Sequence, residues 1–131
     1  MPVVSHFIGA VIDCPDPRKL AAFYQALTGW AVIYEDDDEA VAIGPDADDP
    51  SRPGIGFQRV EGYTAPLWPG QEVPQQAHLD FFADDDLDTA EAAALVLGAT
   101  TAAHQPQPDR WRVMLDPAGH PFCLCVSPEQ S

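Results

Sequence analysis

From Gln76 to Ala83 the chain alternates polar and apolar residues in the manner of a strand, so that His78, Asp80 and Phe82 share one side and Leu79, Phe81 and Ala83 the other. The second side is apolar enough to be buried. Asp84-Asp85-Asp86 then supplies a helix N-cap and first-turn carboxylates for an Ala/Leu-rich segment that ends near Gly98. The same layout occurs 69 residues earlier, where the shift lays Gly9 on His78, Ile12 on Phe81, Asp16 on Asp85, Leu27 on Val96 and Gly29 on Gly98. In both copies a short apolar strand runs into an Asp cap, a helix and a terminating glycine, the mark of an internal repeat.

The remaining elements fall into place around the two copies. Residues 6–13 read as the first strand, and Asp16 caps a helix that begins at Pro17, where a missing N–H costs nothing, and stops at Gly29. Leu20, Phe23 and Leu27 form its buried stripe. Residues 30–35 and 40–44 flank Asp36-Asp37-Asp38-Glu39 as arms of a hairpin whose acidic tip is expected to be solvated, since it lacks the periodic ligands and central glycine of a calcium loop. Residues 54–60 read as a fourth strand, with Ile55 and Phe57 on one face and Gly56, Gln58 and Val60 on the other. A connecting loop over 61–76 carries Tyr63 and Trp68 among prolines and glycines, and either closes over a cavity as a lid or packs on the protein through its aromatic rings. Beyond the second helix, strands over 99–104, 110–115 and 120–126 are expected, the last two joined by the type I turn Asp116-Pro117-Ala118-Gly119. Each copy is thus strand, helix and three strands, over 6–60 and 77–127, within one domain spanning 1–131.

This α+β order, βαβββ twice over, with Asp16-Pro17, Phe23-Tyr24 and Gly29-Trp30 in the first copy, His78-Leu79-Asp80-Phe81 opening the second and Asp116-Pro117-Ala118-Gly119-His120-Pro121-Phe122 before the last strand, resembles the vicinal oxygen chelate superfamily. Glyoxalase I, bleomycin-resistance proteins, fosfomycin-modifying enzymes and extradiol dioxygenases belong to that group. The resemblance runs from about Phe7 to Val126 and implies two tandem modules whose strands form a cup-shaped mixed sheet, with function in the cup. A shared fold of this kind does not choose among chemistries.

The resemblance also implies where a divalent ion would sit in metal-dependent members, at one position on the first and last strand of each module. Carried over, these positions are Gly9, which has no ligand atom, His78, Gln58, and Cys123, seven residues after the turn's Asp116 where the family places a glutamate. Zinc or nickel needs three or four strong donors, and only His78 and Cys123 qualify in this set. Asp80 shares a face with His78, but two residues along a strand lie roughly 6.5–7 Å apart, and its carboxylate is expected to diverge. Cys123 paired with His78 also suggests a nucleophile, against the ordinary role of a small buried cysteine as packing. Trp30, Trp111, Phe57, Tyr24 and Met114 read as core or interface rather than ligand contacts.

Composition narrows the partners. Twenty-one acidic and 6 basic side chains give a net charge of -15, which denies nucleic acid its basic footprint and favours, if anything, a cationic ligand. The three cysteines, Cys14, Cys123 and Cys125, lack the spacing of a disulfide framework, and no stretch reaches the roughly 18 apolar residues of a membrane span, so a cytoplasmic protein without a membrane partner is expected. A homodimer is expected from the resemblance.

Two functions stay open. The first is a protein that binds a small organic molecule in its cup without cofactor, through Asp13, Gln58, Tyr63, Trp68, His78, Asp80 and Cys123. The second is a metal-dependent lyase, isomerase or dioxygenase working through a reduced site at His78 and Cys123. The short donor set favours the first.

Overall fold

The computed structural model describes residues 2–129, and the chain divides into two compact units between Tyr63 and Thr64. The first unit runs β1 (Gly9–Cys14), α1 (Pro17–Thr28), β2 (Ala31–Asp36), β3 (Ala40–Gly44) and β4 (Gly54–Arg59). The second runs β5 (Leu79–Phe82), α2 (Leu87–Leu97), β6 (Thr100–Thr101), β7 (Trp111–Leu115) and β8 (Pro121–Cys125). Each forms a four-stranded mixed sheet, in the orders β1-β4-β3-β2 and β5-β8-β7-β6. In each the first and last strands pair in parallel and the remaining pairs are antiparallel. The chain is therefore two tandem βαβββ modules.

Local chemistry explains the helices. Asp16 Oδ1 accepts from the Lys19 N–H at 3.2 Å, and Gly29 ends α1 in the left-handed region at φ 76°, its own N–H returning to the Gln25 carbonyl. Leu20, Phe23 and Tyr24 are buried, and Tyr24 stacks on Phe57 of β4 with ring centroids 5.6 Å apart. Helix α2 is capped by Asp86, whose Oδ1 accepts from the Thr89 N–H at 2.8 Å, and stops at Gly98. The repeat offset of 69 holds for the two stop glycines but not for the caps, since Asp16 maps to Asp85 and the cap is Asp86; the additional residue lies in the turn between β5 and α2, and α2 is one residue shorter than α1.

Three segments depart from the sequence reading. The acidic hairpin tip is not simply solvated, because Arg18 reaches from α1 to Glu35 and Asp38, each at 3.2 Å, and donates to the Asp37 carbonyl. The strand expected over 99–104 is cut to Thr100–Thr101, because the Gln105 side chain takes over the pairing beyond it: its Nε2 donates to the carbonyls of Ala102 and Val113 and its Oε1 accepts from the Val113 N–H. The strand expected from residue 6 begins at Gly9. The type I turn forms as expected, with the Gly119 N–H on the Asp116 carbonyl and Asp116 Oδ1 accepting from the N–H groups of Ala118 and His120.

Candidate functional site

Strand β5 is four residues long and alternates as the sequence predicts, with Leu79 and Phe81 inward and Asp80 and Phe82 outward. His78 stands just before it. On the neighbouring β8, Cys123 is the direct partner of Asp80. His78 Nε2 lies 3.2 Å from Asp80 Oδ1, and one donor atom from each of His78, Asp80 and Cys123 falls within 4.8 Å of the others. The expectation that Asp80 diverges from His78 is thereby overturned. Because His78 precedes the regular strand, the backbone spacing of the pleat does not fix its ring, and the imidazole folds toward the carboxylate.

Beside this trio the second unit holds a cavity of about 370 Å³. Antiparallel pairing of Trp111 with Cys125 and of Val113 with Cys123 aligns these four side chains on one face, where they line the cavity. Trp68 closes another side. It comes from the connecting loop, packs against the cluster of Ala102, Val113 and Cys123, and has its ring 5.4 Å from that of His104. Of the two alternatives for the loop, Trp68 serves both: it is an anchor packed on the apolar cluster and a wall of the cavity. Trp111, read from sequence as core or interface, also lines the cavity. The signal was present in the alternation of β7, where Trp111, Val113 and Leu115 share a face, but which face meets the cavity depends on the pairing with β8.

The polar lining consists of His78, Asp80 and Gln75. Gln75 was missed in the sequence, where it reads as one more polar loop residue. Its Oε1 is buried and has no hydrogen-bond partner among the described residues. Burial and the nearby Asp80 carboxylate push the Cys123 thiol up to about 12, and the same two causes raise Cys125. A thiol held this way is protonated near neutral pH, which speaks against the Cys–His nucleophile.

The other expected site residues belong to the first unit. Asp13 and Gln58 are register partners across β1 and β4, and Gln58 Nε2 donates to Asp13 Oδ1 at 3.4 Å. Tyr63 is that unit's last residue. Gly9 has φ 135°, and a Cβ there would run into the backbone of Gly54, so the conformation of this strand excludes a side chain altogether. The strand registers also give the counterpart of Cys123. The repeat lays Asp80 on Val11; Asp80 pairs with Cys123 and Val11 with Gly56, so Gly56 corresponds to Cys123, and Gln58 corresponds to Cys125.

The trio fits a divalent ion of the zinc type. Imidazole, carboxylate and thiolate are all zinc ligands, and a tetrahedral ion with bonds of 2.0–2.3 Å spaces its donors roughly 3.3–3.8 Å apart. A spread of 4.8 Å is about 1 Å wider, and the His78 and Asp80 side chains, 42% and 61% exposed, are free to close it.

The family model described as glyoxalase-like domain matches residues 9–125. Among solved structures, a mutant of the genomically encoded fosfomycin resistance protein FosX from Listeria monocytogenes, complexed with Mn(II) and 1S,2S-dihydroxypropylphosphonic acid, superposes with a TM-score of 0.69 at 16% identity, covering 98% of this chain and 95% of that one. Glyoxalase I of Leishmania major gives 0.67 at 16% identity, covering 94% and 87%. A glyoxalase/bleomycin resistance protein/dioxygenase family enzyme from Burkholderia phytofirmans gives 0.63 at 20%, covering 92% and 97%. At such identities the likeness shows the fold. No curated protein matches the sequence.

Proposed function

Because the chain belongs to the glyoxalase-like domain family, we propose that it binds a small organic molecule in the cavity of its second unit, between the rings of Trp68 and Trp111 and beside His78, Asp80 and Cys123. The observation that carries this reading is the cavity itself. About 370 Å³ falls within the range of small-molecule sites, and an apolar, aromatic lining with a few polar groups is what such sites use for affinity and orientation. The test is a calorimetric panel of planar aromatic compounds on wild type and Trp68→Ala. Binding that is lost with Trp68 supports the reading, and no binding by any member at millimolar concentration overturns it.

A second reading rests on a different observation, the convergence of His78, Asp80 and Cys123. These three residues would hold a divalent ion and leave a position open, as in catalytic zinc sites. When bound, such an ion supplies a Lewis acid that polarises a carbonyl. The chain would then be a lyase, isomerase or dioxygenase. Elemental analysis after dialysis against zinc, nickel or manganese separates the two readings, since stoichiometric metal that disappears in His78→Ala belongs to the second.

The chain also forms a homodimer in this reading. Leu95, Val96 and Leu97 at the end of α2 are 44%, 87% and 38% exposed, an apolar surface that a second copy would cover. Sedimentation at the monomer mass at high micromolar concentration would remove this part of the proposal. The free cysteines fit a reducing cytoplasm, and among the described residues no helix is long and apolar enough to cross a membrane.

A further inference from the structure

The donors of His78, Asp80 and Cys123 come within 4.8 Å of one another, but they are unequally fixed. Cys123 is buried on β8, which is paired with β5 on one side and β7 on the other. Asp80 lies on β5, at the end of its sheet, His78 stands just before that strand, and both side chains are exposed. The sulfur is therefore the donor that the fold holds still, and the imidazole and carboxylate are the ones able to move to meet an ion. His78 Nε2 and Asp80 Oδ1 pair with one another at 3.2 Å. That spacing also matches the roughly 3.3 Å between two donors on one tetrahedral ion with bonds near 2.0 Å, so an ion would take the place of the hydrogen they share. The first unit offers no such set, because Gly9 admits no Cβ and the Gln58 amide is taken by Asp13.

Resting on the second reading above, we infer that the trio selects a thiophilic, four-coordinate ion of the zinc class through the Cys123 thiolate, and discriminates against hard ions such as manganese and magnesium. Hard ions prefer carboxylate, carbonyl and water oxygens, and a thiolate in a fixed place offers them a poor partner, whereas zinc bonds sulfur at about 2.3 Å and accepts a nitrogen and an oxygen beside it. The choice of ion narrows the chemistry. Zinc exchanges no electrons with oxygen, so the three reaction classes named for the second reading reduce to two, lyase and isomerase.

Cobalt(II), which adopts the coordination of zinc and is coloured, tests this on the intact chain. Wild type with one equivalent of cobalt should show a sulfur-to-cobalt charge-transfer band in the near ultraviolet and the intense visible bands of a four-coordinate ion. One equivalent of zinc should bleach both, and about a tenfold excess of manganese should leave them in place. Cys123→Ser should abolish the charge-transfer band and weaken zinc by roughly 100-fold or more, beyond the usual cost of losing a group that only supports a ligand. Cys123→Asp keeps an oxygen donor in the same place, and should bind cobalt without that band and narrow the preference for zinc over manganese. The wild-type spectra decide the matter even where a Cys123 variant fails to fold. Cobalt bound without the charge-transfer band, a band that survives Cys123→Ser, or displacement of cobalt by manganese overturns the thiolate assignment and leaves the second reading standing. Failure to retain cobalt, zinc or manganese overturns the second reading and this inference with it.

Discussion

Asp80 and Cys123 are direct partners across the parallel pair β5 and β8, so a carboxylate and a buried thiol stand side by side at the edge of the cavity. Each constrains the other. The carboxylate and the burial together disfavour the thiolate, and only a cation placed between the two would reverse that preference. Each of the two readings proposed above uses the pair differently: the first as a neutral thiol and an acceptor lining a ligand cavity, the second as two ligands of a metal.

The first prediction follows from the raised thiol. With its pKa pushed up to about 12, Cys123 should resist alkylation by iodoacetamide at pH 8, by at least ~100-fold relative to an ordinary thiol. Mass spectrometry of timed samples would resolve Cys123 from Cys14 and Cys125. Modification of Cys123 at the rate of a free thiol would contradict the geometry.

The same shift gives a stability trend in alkali. Unfolded chain ionises its cysteines near the ordinary value of 9.0, whereas native Cys123 holds its proton to about 12, so the native state binds more protons between those limits and loses stability as pH rises through them. Urea unfolding of wild type should fall faster from pH 9 upward than that of Cys123→Ala. Parallel curves would refute the assignment.

A third prediction concerns Arg112, which occupies a strand position that faces the helix. It is the register partner of Leu124, as Val41 is of Phe57 in the first unit, yet its guanidinium donates to Glu91 at 2.7 Å and lies 2.9 Å from Asp88. Hydrogen bonds from Thr101 and Arg112 hold the Glu91 carboxyl below its ordinary value of 4.5. Arg112→Met should destabilise by roughly 1–3 kcal/mol at pH 7. Because the folded value is depressed, that stabilisation is present above pH 4.5 and is lost as pH falls through the folded value, so wild type and variant should converge in acid. Chemical denaturation of both proteins at pH 7 and pH 3 measures it.

Gly9 yields the fourth. A side chain at this position meets the backbone of Gly54 and must adopt φ 135°, so Gly9→Ala should cost about 2 kcal/mol or more. Gly9→His, the change that would place an imidazole at the position the repeat lays on His78, should lower the melting temperature and add no metal. A stable Gly9→His protein with raised zinc content would show that the strand can move aside.

How much of this was legible beforehand depends on the range of each interaction. The caps and stops of both helices, the two βαβββ orders and the type I turn are fixed by neighbours within a few residues, and Asp16, Pro17, Gly29, Gly98, Asp116 and Gly119 announce them in one dimension. The alternation of His78, Asp80 and Phe82 against Leu79 and Phe81 is of the same kind. By contrast, the approach of His78 to Asp80 depends on where the strand begins, and the contact of Asp80 with Cys123 depends on a parallel register between segments 43 residues apart. The shortening of β6 required the Gln105 side chain to find the backbone of Val113. Gln75 and Trp111 became lining residues only when a loop and an antiparallel pair were brought to the same space, because burial and hydrogen-bond satisfaction are properties of what surrounds a side chain, and the sequence alone states only what the side chain is.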